Sequence, residues 1–238
     1  FSSPMGSMPL LPSQNHLKRL CLRRYRMTKK AILVVNDDGI DSKGLEILAE
    51  SALRFGDVFV VAPLEETSGV GKAITLGEVN VQRHPFRHGI KTNAIDGTPA
   101  DAVLLGREYL LPREPDVILS GVNLGPNLGI EDFFDSGTIG AAIEGAIHRK
   151  LAIAFSLAIS REQKTMGNYD ITETQQVVER TLRAIFSNLA VFSPEEIISI
   201  NVPYPIVNGI KASTISRKAL HSVHYKTPAG YSMKPWEM

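Results

Sequence analysis

Two short, unbroken aliphatic runs with an amphipathic stretch between them constrain this chain more than any other feature. Residues 31–35, AILVV, contain no polar residue to alternate with, which is the pattern of a strand buried on both faces. Residues 43–54, KGLEILAESALR, follow with Leu45, Leu48, Ala49 and Leu53 at helical spacing on one face. Residues 57–62, DVFVVA, repeat the buried-strand pattern until Pro63 removes a ladder donor and ends it. Two such strands joined by one helix make a right-handed parallel βαβ unit.

The unit recurs. A helix is expected to start over 99–105, a strand over 116–120, a Gly- and Ala-rich helix over 137–148, a strand over 151–155, a helix over 172–189 and a strand over 197–202, closed by Pro203. Residues 74–95 read as a hairpin turning at Gly89. The expected fold is α/β: a doubly wound, mostly parallel sheet in a Rossmann-like three-layer α/β/α arrangement. Residues 29–238 are read as a single domain without internal repeats. Past Pro203 the period fades, and residues 206–238 read as an irregular extension, either packing on a partner subunit or forming the stub of a longer chain.

With 238 residues, 43% of them hydrophobic, the chain can bury a core without metal or disulfide staples. Its one cysteine, Cys21, has no partner within the chain, which fits a reducing compartment such as the cytoplasm. No apolar run approaches the ~18 residues of a membrane-spanning helix. The formal charge of +1 conceals an asymmetry: residues 1–30 hold seven Lys and Arg and no acid, leaving 19 basic against 25 acidic residues in the rest. A body at −6 argues against a nucleic-acid polymer as partner. Residues 1–28 are read as a basic extension upstream of a natural start at Met27, with an organelle presequence as the competing reading.

Ligands of open parallel sheets bind beyond the carboxyl ends of the strands, and three of those junctions are unusual. Asn36-Asp37-Asp38-Gly39 follows the first strand, a segment with Ser68, Gly69, Gly71 and Lys72 follows the second, and a Gly- and Asn-rich loop with Asn123, Gly125, Asn127 and Gly129 follows the strand at 116–120. Two adjacent carboxylates repel one another and lose solvation, a cost that a hard cation such as Mg²⁺ or Mn²⁺ relieves through oxygen ligands. Ser68 and Asn123 offer further neutral oxygens to the same crevice. An Asp-Asp-Gly turn or helix cap is the plainer alternative. Ser136-Gly137-Thr138 opens a helix whose early N–H groups suit an anion, whether or not Ser136 also caps it. Lys72 is read as a solvated loop lysine, with a phosphate contact as the alternative.

Other motifs fail. Glu66 and Ala73 stand where a P-loop needs Gly and Ser or Thr, no G-x-G-x-x-G follows the first strand, and no G-x-S-x-G occurs. Zinc clusters lack cysteines, and His221-x-x-His224 reads as solvated tail histidines.

Six blocks, VNDDGIDSKG (35–44), VAP-x₄-SGVGKAIT (61–75), GTPADAV (97–103), SGVNLGPNLG (120–129), SGTIGAAIEGA (136–146) and INVP (200–203), occur in the order seen in the SurE family of stationary-phase survival proteins, which this chain resembles. The resemblance implies a metal-dependent phosphatase of nucleoside monophosphates, a 5′- and 3′-nucleotidase with short-chain exopolyphosphatase activity. It places one divalent metal ion per subunit on Asp37, Asp38, Ser68 and Asn123, the residues that the strand-end reading reaches separately, with Asp37 and Asp38 catalytic. It places the phosphate against Asn36, Gly125, Asn127, Ser136, Gly137 and Thr138. It also implies a homodimer or homotetramer, built in such families with a hairpin that swaps between subunits. A nucleotide-binding module without turnover and a metal-dependent glycosyltransferase are the alternatives from other functional classes.

Overall fold

The computed structural model describes residues 29–207, 209–217 and 224–233. Its centre is a seven-stranded sheet built from β1 (Lys30–Val35), β2 (Gly56–Pro63), β3 (Val81–Arg83), β4 (Lys91–Ile95), β5 (Val117–Leu124), β6 (Leu151–Ala158) and β7 (Ile197–Pro203). The strands lie in the order β3-β4-β2-β1-β5-β6-β7. Only β3, on the edge, is antiparallel to its neighbour. The order reverses at β1, flanked by β2 and β5, so the crevice beyond its carboxyl end is the topological switch point where doubly wound sheets bind ligands.

The continuous aliphatic run of β1 is divided between two cores by the pleat. Ile32 and Val34 pack with Leu45 and Leu48 of α1 (Lys43–Ala52), together with Val178 and Leu182 of the long helix Ile171–Phe186. Leu33 and Val35 face the other way, onto Val103 of α2 (Pro99–Leu105) and Ile139 of the helix Gly137–Ile147. Helix starts are fixed by local side chains: Ser42 accepts from the Leu45 N–H, and Thr98 and Asp101 form a reciprocal capping box with Pro99 at the first position. Between β5 and the Gly137 helix lies α3 (Ile130–Asp135), so Gly137–Ile147 is α4, followed by α5 (Arg161–Met166) and α6 (Ile171–Phe186).

Several expected boundaries move. Leu53 is 39% exposed because α1 stops at Ala52, after which the chain turns toward β2. Within 74–95 only β3 and β4 pair, around a 3₁₀ turn at Arg87–Gly89, and 74–80 is not strand. The strand expected over 116–120 runs on to Leu124 through a register shift, at which Gly121 takes φ 119°. The extension past Pro203 is not wholly irregular. Residue Ser216 exchanges backbone hydrogen bonds with Leu128 and Ile130, and β8 (His224–Thr227) and β9 (Gly230–Met233) form an antiparallel hairpin. Residues 1–28, with Cys21 and Met27, and His221 lie outside the described residues. No helix among the described residues is long and apolar enough to cross a membrane.

Candidate active site

The Asp-Asp-Gly turn exists, but neither aspartate makes it. Asn36 closes the turn by donating its side-chain amide to the Gly39 carbonyl at 2.8 Å, Gly39 takes φ 95°, and Ser42 caps α1. Both carboxylates are therefore left for other partners. Beside them, the Asn36 Oδ1 atom is buried without a hydrogen-bond partner among the described residues.

Asp37 is 3% exposed and faces the N-terminus of α4, where the Thr138 hydroxyl donates to its Oδ1 at 2.5 Å. Burial first, and then the charge of Asp38, push its pKa from 3.8 up to about 6, against the pull of hydrogen bonds from the Thr138 hydroxyl and backbone N–H. The anion at this helix terminus is thus the protein's own carboxylate. Gly137 makes that approach possible: a Cβ there would lie 2.7 Å from the Asp37 Cβ and 3.1 Å from the Pro99 ring. Ser136 caps α4 by accepting from the Ile139 N–H at 3.2 Å.

Asp38 is oriented by β5: its Oδ2 accepts from the Leu124 N–H at 3.0 Å, and its side chain is only 4% exposed. The register shift in β5 brings Asn123 to the same end of the sheet, where its amide nitrogen donates to the Gly125 carbonyl at 2.8 Å and leaves Oδ1 as its remaining polar atom. The Ser68 segment is tied to the first strand end by the Thr67 N–H, which donates to the Asp37 carbonyl at 2.8 Å. Ser68 itself is exposed, and its hydroxyl donates to Glu66 at 2.8 Å. Asp37, Asp38, the Ser68 segment and Asn123 thus all lie at the carboxyl-end side of β1, β2 and β5, at the switch point of the sheet.

The family model of survival protein SurE matches residues 32–224. This chain belongs to the SurE family. It is 40% identical over 192 residues to the 5′-nucleotidase SurE of Pelobacter propionicus, covering 80% of this chain and 73% of that one. Against the 5′-nucleotidase SurE of Methanocorpusculum labreanum it is 34% identical over 197 residues, with 81% and 74% covered. The crystal structure of the SurE protein from Aquifex aeolicus overlays with a TM-score of 0.68 at 34% identity, covering 86% of this chain and 82% of that chain.

Two residues of the SurE blocks are placed differently from a phosphate-facing expectation. Asn127 is 5% exposed, and its amide donates inward to the Ser156 hydroxyl at 2.8 Å while its backbone exchanges hydrogen bonds with the Asn201 amide. It clasps the loop onto β6 and β7. Lys72 is not a solvated loop lysine: its ammonium sits 2.5 Å from Glu144 of α4, a carboxylate with 6% exposure that also meets His148 at 3.0 Å. Gly125 has open room, since a Cβ there meets only the Asn123 amide at 3.6 Å.

One participant lies outside every SurE block. Lys164, on α5, donates to Asp38 Oδ1 at 2.6 Å and to Glu66 at 3.0 Å. Burial lowers the Lys164 pKa, but Asp38 and Glu66 outweigh it and hold the ammonium above its ordinary value. Burial likewise raises Glu66, and the Ser68 hydroxyl with the Lys164 ammonium bring it below the usual glutamate value. The only sequence signal was Ser160 with Gln163, a capping pair that predicts a short helix but not its target.

Proposed function

We propose that this chain is a metal-dependent nucleotidase that hydrolyses nucleoside 5′-monophosphates, and 3′-monophosphates and short polyphosphate through the same site. The observation that carries this is the pair Asp37 and Asp38, buried side by side at the switch point with a charge that their surroundings leave partly uncompensated. The relatives named 5′-nucleotidase SurE supply the substrate class. The donor set fits a hard cation: two carboxylates with the neutral oxygens of Ser68 and Asn123 are an all-oxygen set that would hold one Mg²⁺ or Mn²⁺ per subunit, and the unpartnered Asn36 Oδ1 is buried next to the first of the two carboxylates in the chain.

When bound, that ion polarises the phosphoryl oxygens and lowers the pKa of an attacking water. The chain's own residues provide the rest. Thr138 and the α4 N-terminus keep Asp37 oriented and favour its ionised form, and the Leu124 N–H fixes the direction of the Asp38 carboxylate. The phosphoryl group is assigned to the side of the crevice next to Gly125, Ser136 and Gly137, with Asn127 holding the Gly125 loop in place, while Asn36 and Thr138, fully buried, act from behind by closing the turn and holding Asp37. A homodimer or homotetramer that uses the segment after Pro203 is the proposed assembly.

Phosphate release from 5′-AMP, 3′-AMP and tripolyphosphate is measured with Mn²⁺, with Mg²⁺ and with EDTA. Release with metal, none with EDTA, and background rates for Asp38→Asn are expected. Unchanged turnover by Asp38→Asn sinks the assignment. Tight AMP binding without release would instead mark a binding module, and nucleoside diphosphate formed from a sugar nucleotide would mark a transferase.

A further inference from the structure

Lys164 has no part in the reaction outlined above, yet it holds the most consequential contact in the crevice. Asp38 has two carboxylate oxygens. Oδ2 accepts one hydrogen bond from the Leu124 backbone, and Oδ1 is engaged by the charged Lys164 ammonium at the shorter distance of 2.6 Å. The same ammonium lies 3.0 Å from Glu66 Oε1, which accepts the Ser68 hydroxyl at 2.8 Å. One cation therefore occupies one proposed metal ligand directly and engages a second through a single carboxylate. The helix that carries it, α5, buries none of its residues, is capped by its own Ser160 and Gln163, and ends at Gly167 with φ 66°. It is a self-contained turn and a half presenting a half-buried lysine to the site.

Resting on the metal-dependent nucleotidase reading, we propose that Lys164 is the resident counter-cation of the site, displaced from Asp38 by the divalent ion and then left beside the bound phosphate as a substrate-binding side chain. Two opposite consequences follow from charge. Lys164 and the metal compete for Oδ1, so the lysine weakens metal binding. Once the metal is in place, Asp37, Asp38 and Glu66 balance the divalent ion together with one ammonium. Without Lys164 the loaded crevice carries an excess negative charge and repels a phosphate dianion. The lysine thus trades metal affinity for phosphate affinity, a combination that a purely structural ion pair does not produce.

The test is calorimetric titration of the metal-free full chain with Mn²⁺, followed by titration of the Mn²⁺-saturated protein with inorganic phosphate, for the wild type, Lys164→Met and Lys164→Arg. Methionine keeps the stem length without charge, and circular dichroism checks that each variant is folded. Lys164→Met is expected to bind Mn²⁺ about tenfold tighter or more and phosphate about tenfold weaker, by the loss of one unit charge within a few ångströms of each ligand. Lys164→Arg should restore both toward wild type. Equal or weaker Mn²⁺ binding by a folded Lys164→Met overturns the proposal while leaving the nucleotidase reading intact. A wild type that neither binds Mn²⁺ nor releases phosphate from AMP overturns both.

Discussion

Replacing Asp37 by Asn should make the metal-free protein more stable at neutral pH while abolishing its activity. The pKa of Asp37 rises from 3.8 to about 6 on folding, roughly 2 units, which corresponds to about 3 kcal/mol. The direction is unfavourable to folding: a raised carboxylate pKa means that the native state binds more protons than the unfolded chain between pH 4 and 6. This contribution to stability is therefore present below the unfolded pKa and lost as pH rises through the folded one. In Asp37→Asn the side chain has no charge to desolvate, and its Oδ1 still accepts from Thr138. Urea unfolding followed by circular dichroism, in EDTA from pH 4.5 to 8, should show the variant gaining on wild type as pH rises, reaching about 3 kcal/mol above pH 7. Adding Mn²⁺ at 100 times its Kd should return about 2.7 kcal/mol to the wild type alone. Parallel pH profiles for the two proteins in EDTA would refute the reasoning, because the Asp37 charge would then cost nothing on folding.

Two further substitutions probe the frame around the carboxylates. Gly137→Ala puts a methyl 2.7 Å from the Asp37 Cβ and 3.0 Å from its Oδ2, so α4 must retreat from Asp37. A loss of about 1–3 kcal/mol in urea unfolding is expected, with Mn²⁺ binding weakened in calorimetry; wild-type values for both would show that the contact is slack. Asn201→Ala removes the amide that accepts from the Asn127 N–H at 2.8 Å and donates to its carbonyl at 3.1 Å. Stranding those backbone groups should cost about 1–3 kcal/mol and raise KM for AMP more than it lowers kcat, since the loop bordering the phosphate loosens; a change confined to kcat would count against that role for the loop.

The strands and their ends were readable because parallel strands buried on both faces must be continuously apolar, as residues 31–35 are. Elements without an apolar period were not. α3 reads IEDFFD and α5 reads REQKTM, and each is set by a capping contact, Asp132 to the Gly129 N–H and Gln163 with Ser160, instead of by a buried face. The end of β5 was missed because Gly121 interrupts the aliphatic run, while the chain re-enters the ladder at Asn123 opposite Ser156. Asn127 looked like a turn or phosphate residue because nothing local reveals Ser156 and Asn201 waiting on the neighbouring strands.

Sequence alone determined the layers, the strand ends at which chemistry collects, and the presence of two adjacent carboxylates there. All of these follow from periodicity and from short-range sterics, which are written within a few residues. The tertiary structure decided how the charges are matched. Lys164 meets Asp38 across 126 positions and Glu66 across 98, Thr138 meets Asp37 across 101, and Lys72 is drawn to Glu144 on α4. Electrostatic partners are chosen by distance in space and by burial, so only the packed chain identifies the cation that guards Asp38.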